Sequence, residues 1–438
     1  MNKIKYYCAA GISLMLVLSG CGSAADVPAK TSFESEVITD NTHSDSMPSD
    51  ATAAYTETTL GETSVPSEPF DPAGGITDEM YERALFNEGG RERLAAAMRK
   101  ASRGESVTVG VIGGSITQGT AASNSALCYA SLFFEWWRGK FPDCEINTVN
   151  AGIGGTDSYL GVNRADQQLL SYDPDAVIVE FSVNDTDKIM NKFSYDSLVR
   201  KILSYKTDPA VILLFTTQEN GTSLQDTHRQ IGEAYDLPMI SYREAVYPLV
   251  SEGALDWKTI SPDNIHPNDA GHSIIGQLLS RYLDSVYDDL DNIPEEIPEF
   301  DSEPLTLDYY KDAVMYFPST LEAVSEEGFV TGTNSVYPDK FPENWVAESG
   351  GSISFELDCR TCGIFYLKTV DGKGGKYEVL VDGERKAFID SDFKGGWGNY
   401  GETKSVLLTG ETAHHTVEIK PVEGSENTSM TILGIMAS

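Results

Sequence analysis

Residues 107–117 read VTVGVIGGSIT, an apolar run that stops abruptly at two glycines and a serine. Apart from Gly110, every residue from Val107 to Ile112 is β-branched, which favours a pleated strand. The run is nearly continuous in its apolar character, as expected for a strand buried on both faces. Similar runs follow at 145–151 (EINTVNA), 175–183 (DAVIVEFSV), 210–217 (AVILLFTT) and 237–242 (LPMISY). Between them, apolar residues recur at helical spacing near 126–140, 158–170, 194–206 and 223–236, and again at about 268–288. Earlier, TDEMYERALFN (77–87) and RERLAAAMRKA (91–101) also read as helical, with Gly89 and Gly90 between them. Strands alternating with helices predict a three-layer α/β domain over residues 76–290, with a parallel five-stranded sheet.

The glycines mark where chemistry is expected. In an open parallel sheet, ligands bind beyond the carboxyl ends of the strands. Gly113 and Gly114 permit a tight exit and keep side chains clear of an incoming substrate. Ser115 follows at once, and a helix expected from about residue 125 turns N–H groups toward a developing anion. A glycine-flanked serine alone is also an ordinary turn. Three further stretches add meaning. SPDNIHPNDAGH (261–272) holds Asp263 and His266 three residues apart, bracketed by prolines. A serine nucleophile needs a base, and the base needs an acceptor that fixes its tautomer. NAGIGGTDS (150–158) follows the second strand, where Gly155 can offer an unobstructed N–H. VEFSVND (179–185) ends the third strand at Asn184, whose carboxamide can donate a further hydrogen bond.

These four separated stretches resemble the blocks of the SGNH (GDSL-like) hydrolases, in the family's order, over about residues 105–285. The resemblance implies a flavodoxin-like fold and ester hydrolysis through an acyl-serine, with Ser115 as nucleophile, His266 as general base and Asp263 as its orienting carboxylate. It implies an oxyanion hole from the Ser115 N–H, the Gly155 N–H and the Asn184 side chain. One departure stands out: Gly114 occupies a position where many members carry aspartate. The α/β-hydrolase elbow G-x-S-x-G is absent, because Thr117 takes its last position. No cofactor and no metal are expected.

The rest of the chain sets the context. Of 438 residues, 40% are hydrophobic, and the net charge is −35. That charge argues against nucleic acid or an anionic membrane surface as partner and is compatible with a neutral polymer. Residues 1–20 combine Lys3 and Lys5 with a short apolar core, as in a signal peptide. LSGC at 18–21 resembles a bacterial lipobox, which implies lipidation of Cys21 and an extracellular, membrane-anchored protein. Residues 21–75 are rich in Ser, Thr, Asp and Glu and are expected to form a disordered tether. An acidic, proline-containing linker is expected at 291–304. Beyond it, short strands separated by DGKGG, VDGE and KGGWGN predict an antiparallel, jelly-roll-like β-sandwich over 305–438. Cys359 and Cys362, in CRTC, are expected as a structural disulfide or as two buried thiols; Cys128 and Cys144 carry no motif.

Other residues have two readings. Trp257 either stacks on a sugar at the cleft or packs beneath its loop. Trp397 sits in a glycine-rich turn where glycan contact is one reading. His272 reads as a capping or packing residue, Asp157 as a helix cap, and Asp185 either as a bond to the loop around the site or as a solvated carboxylate. The resulting expectation is an esterase that removes a small acyl group such as acetyl from a polysaccharide or oligosaccharide. A lipase, thioesterase or peptidoglycan O-acetylesterase on the same triad is the alternative. An inactive glycan-binding lipoprotein is a third reading, which retention of every triad residue opposes. Because 305–438 holds no catalytic block, its removal is expected to spare small-ester cleavage.

Overall fold

The computed structural model describes residues 70–334 and 336–438. The signal, Cys21 and all but the last six residues of the expected tether therefore lie outside the described residues. Those last six are docked rather than free. The Phe70 N–H donates to the Ala254 carbonyl, and Asp71 caps a short turn at Pro72–Gly74.

Chain order runs α1 (Asp78–Ala84), β1 (Leu85–Asn87), α2 (Glu92–Ser102), β2 (Val107–Gly113), α3 (Ser115–Gln118) and α4 (Tyr129–Lys140). It continues with β3 (Ile146–Gly152), α5 (Ser158–Gln168), β4 (Ala176–Glu180), α6 (Ile189–Leu203), β5 (Ala210–Phe215) and α7 (Gln225–Ala234). β6 (Met239–Ser241), α8 (Tyr242–Ser251) and α9 (Asp269–Asp288) complete the α/β part. The sheet order is β1-β6-β5-β4-β2-β3. The five expected strands are all parallel, in the flavodoxin-like order. A sixth, short strand was not foreseen: Leu85–Asn87 leaves the helical pattern and pairs antiparallel with β6 at the edge. Strand order reverses at β2, which is flanked by β3 and β4. The crevice at such a reversal collects the loops after all three strands, which carry Ser115, Gly155 and Asn184. The helix expected near 125 in fact has a forerunner, because α3 begins at Ser115 itself.

The C-terminal part contains β7 (Val314–Tyr316), β8 (Ser325–Glu327), β9 (Val330–Gly332), β10 (Asn344–Ala347) and β11 (Ser352–Lys368). β12 (Lys376–Val381), β13 (Glu384–Asp390), β14 (Tyr400–Pro421) and β15 (Met430–Ala437) follow. All pairings between these strands are antiparallel, and one continuous sheet results. The expected short strands GSISFELD and GIFYLKTV are fused into the long β11, and KSVLLTG and HHTVEIK into the long β14. CRTC forms a bulge in β11, with register breaks beside Cys359 and Cys362. The bulge switches the parity of the core-facing residues, from Ile353, Phe355 and Leu357 to Cys362, Ile364 and Tyr366. Both cysteines are buried free thiols.

After the bulge, the opposite face of β11 turns to the α/β part. Phe365 and Leu367, with Phe341, Leu433 and Met436, join the same apolar cluster as Tyr159, Leu160 and Phe181. The two parts thus share one core. The linker is also docked: Arg99 donates to the carbonyls of Leu290, Ile293 and Pro294.

Candidate active site

Ser115 opens α3 directly after β2, and its side chain reaches His266 on the loop before α9. The Ser115 Oγ lies 2.9 Å from His266 Nε2, and His266 Nδ1 lies 2.8 Å from Asp263 Oδ2. Residues 151 positions apart in sequence therefore meet within hydrogen-bond reach. The loop is held rigidly. The Asp263 Oδ1 accepts from the Ile265 and His266 N–H groups, at 2.8 and 2.7 Å. The Ser261 hydroxyl bonds the carbonyls of Asp263 and His266. Partial burial pushes the Asp263 carboxyl up, but the His266 N–H, the imidazole and the Ile265 N–H outweigh it and hold it below the usual carboxylate range. Asp263 therefore favours the anion beside the ring, an arrangement that suits a proton on Nδ1 and an accepting Nε2.

On the other side of Ser115, glycines bring backbone close. Gly155 has φ +71°, a conformation that suits glycine, and places the turn after β3 beside the site. A Cβ on Gly114 would lie 2.1 Å from the Asn184 Oδ1, so the bare glycine is what lets the carboxamide seat against the backbone next to Ser115. The departure from aspartate at 114 thus has a local counterpart in the seat of Asn184. Asp185 holds the two loops together: its carboxylate accepts from the Ser158 N–H at 2.8 Å and contacts His228 Nε2 at 3.0 Å. Asp157 caps α5 through the Leu160 N–H, and burial followed by the nearby Asp185 raises its carboxyl.

Trp257 requires a correction. It is 3% exposed and donates its indole N–H to the Asp263 carbonyl at 2.6 Å. A ring packed under the loop has no face left for a sugar, so its contribution is to hold the Asp263 backbone. Trp397 has the opposite character: it is 73% exposed and stacks on Tyr400 at 5.0 Å, with Phe393 edge-on to both. The Tyr400 ring lies 4.0 Å from where a Gly155 Cβ would be. An aromatic cluster of the β-module thus borders the candidate site. Its place there was not legible from sequence, because nothing local reports which loops of two modules meet.

Sequence reading also missed a buried polar layer beneath Ser115. Glu180 accepts from the hydroxyls of Thr216 and Thr117, and Thr117 bonds the Tyr129 hydroxyl. Burial raises the Glu180 carboxyl to about 7. His272, fully buried, accepts from the Tyr129 N–H and faces the Thr120 carbonyl; burial lowers it to about 4. It is a packing residue, as expected. Among the described residues, no cluster of His, Cys, Asp and Glu has the geometry of a metal site.

Comparison with known proteins bears on this arrangement. Residues 111–274 match the model of the GDSL-like lipase/acylhydrolase family. A search of curated proteins finds no match. Among solved structures, a two-domain esterase (CEX) active on acetylated mannans is 35% identical, with a TM-score of 0.76. The similarity covers 82% of this chain and 98% of that one. The same esterase co-crystallised with mannopentaose gives a TM-score of 0.75 at 35% identity, covering 82% and 97%. The likeness thus runs through both modules, well beyond the stretch that carries the blocks. By this likeness the chain belongs to the GDSL-like lipase/acylhydrolase family and is an SGNH-type ester hydrolase.

Proposed function

We propose that the protein removes acetyl groups from a neutral polysaccharide of the mannan kind, through an acyl-Ser115 intermediate. The observation that carries this reading is the approach of Tyr400 to Gly155, with Trp397 stacked beside it. Exposed aromatic faces suit the apolar faces of sugar rings, and here they stand next to the expected oxyanion hole. Similarity to an esterase active on acetylated mannans supports the same substrate class. The net charge of −35 disfavours a polyanionic substrate.

In this reading, the Ser115 Oγ attacks the ester carbonyl carbon while His266 Nε2 takes the hydroxyl proton. The N–H groups of Ser115 and Gly155 and the Asn184 carboxamide donate to the oxyanion. Collapse breaks the acyl–oxygen bond, and His266 returns the proton to the departing sugar hydroxyl. Water, deprotonated by His266, then releases acetate and restores Ser115. We extend the proposal to location: Lys3, Lys5 and LSGC support export and lipid attachment at Cys21. Fatty-acid labelling that survives a Cys21→Ala substitution would refute that part.

Acetate release from acetylated mannan and acetylated xylan tests the activity. Wild type is expected to deacetylate mannan. Ser115→Ala should fall to background, and His266→Ala should lose at least about 10³-fold in turnover. Trp397→Ala should keep p-nitrophenyl acetate cleavage while weakening action on polymer. Equal rates for wild type and Ser115→Ala would overturn the proposal.

A further inference from the structure

Among the described residues, two cations behind the candidate site have no ion-pair partner. Arg164, in α5, is fully buried, and burial lowers its guanidinium to about 9. It donates to the Ala151 carbonyl at 2.6 Å and to the Gly113 carbonyl at 3.2 Å. Those carbonyls lie at the carboxyl ends of β3 and β2. Gly113 immediately precedes Gly114 and Ser115, and Ala151 precedes the turn that carries Gly155. The second cation, Lys340, comes from the β-module and donates to the Asn150 carbonyl at 2.8 Å. Asn150 in turn donates its side-chain amide to the Thr117 carbonyl in α3, at 2.9 Å, and accepts from the Gly152 N–H. Gln168 bridges the cations: its Oε1 accepts from Arg164, and its Nε2 donates to the Lys340 carbonyl. Among the described residues, neither cation forms an ion pair with a carboxylate.

A buried charge without a counter-charge is costly. Here the offset comes from charge-assisted bonds to backbone carbonyls at strand ends. Such an arrangement adds little to stability over an apolar replacement. What it secures is register between two loops that must present donors to one oxygen atom. A displacement of about 1 Å in such a constellation costs on the order of 10²-fold in rate.

We propose that Arg164 and Lys340 are positioning residues for ester hydrolysis, which together fix the carboxyl ends of β2 and β3 and so the placement of Ser115 against the Gly154–Gly155 turn. Through Lys340 the β-module becomes a working part of the hydrolase. This inference rests on the esterase reading above.

The test uses the full chain and p-nitrophenyl acetate, which has no sugar and so bypasses the aromatic cluster. Lys340→Met should lower kcat about tenfold, with KM within about twofold and a folded fraction equal to wild type. Lys340→Arg, which keeps charge and donor, should recover most of that kcat. Arg164→Lys has one ammonium and cannot reach both strand ends; it should lose on the order of 10²-fold in kcat while its circular dichroism stays native. Wild-type kcat in Lys340→Met and Arg164→Lys, losses that merely follow the folded fraction, or a Lys340→Arg variant as slow as Lys340→Met would each overturn the inference. Ser115→Ala serves as the reference: a wild type no faster than it would refute the esterase reading itself.

Discussion

Gly114 illustrates how one missing atom shapes the site. Its backbone angles, φ −90° and ψ −146°, lie outside the left-handed region that favours glycine. The demand is spatial, since a Cβ would meet the Asn184 Oδ1 at 2.1 Å. The obstructed atom belongs to a side-chain end, so Gly114→Ala should fold and instead push the carboxamide away. Loss of an oxyanion donor costs about 10²–10³-fold in kcat. Gly114→Ala and Asn184→Ala should each show a loss of that order, and the double variant should be no worse than either single one. Additive losses in steady-state kinetics would mean that Gly114 acts by another route.

At the scale of elements, β4, α3, α4 and α9 meet in the buried layer of Glu180, Thr117, Tyr129 and His272. Glu180 titrates near 7 when folded, above the ordinary 4.5. The folded state therefore holds that proton more tightly than the unfolded chain does. Stability from this group is full below about pH 4.5 and is lost as pH rises through about 7. His272 works in the other direction: its folded value of about 4 lies below the ordinary 6.5, so stability is lost as pH falls from 6.5 through 4. Glu180→Gln removes only the first effect. The melting temperature of Glu180→Gln relative to wild type should therefore be higher at pH 8 than at pH 5. An offset that does not change between the two pH values would show that the carboxyl stays ionised throughout.

For the whole molecule, the shared core reverses an expectation drawn from the absence of catalytic blocks in 305–438. Phe341, Phe365, Leu433 and Met436 cover apolar side chains of the α/β part, and Lys201 donates to the Ala313 carbonyl at 2.6 Å. Removing 305–438 would expose that surface to water, at about 25 cal/mol per Å². The truncated chain should be insoluble or inactive even toward p-nitrophenyl acetate. A soluble truncation with wild-type turnover would show that the modules are independent.

The α/β architecture and the triad were legible along the chain because their signals are local. Continuous β-branched runs require burial on both faces, and Asp263 and His266 share one short loop. Ser115, Gly155 and Asn184 each follow a strand end, and parallel order brings those ends together. The short antiparallel strand at Leu85–Asn87 left no such trace, since three residues carry no period. Nor did the continuity of β11 through CRTC, since the composition of four residues does not tell a bulge from a break between strands. Trp257 and Trp397 looked alike in sequence, both lying in loops. Only packing separated them, because burial is a property of what covers a side chain and not of its neighbours in the chain. The same holds for Arg164 and Lys340, whose acceptors are backbone carbonyls that any residue supplies. Backbone acceptors leave no signature in sequence, so tertiary structure alone decided where those charges act.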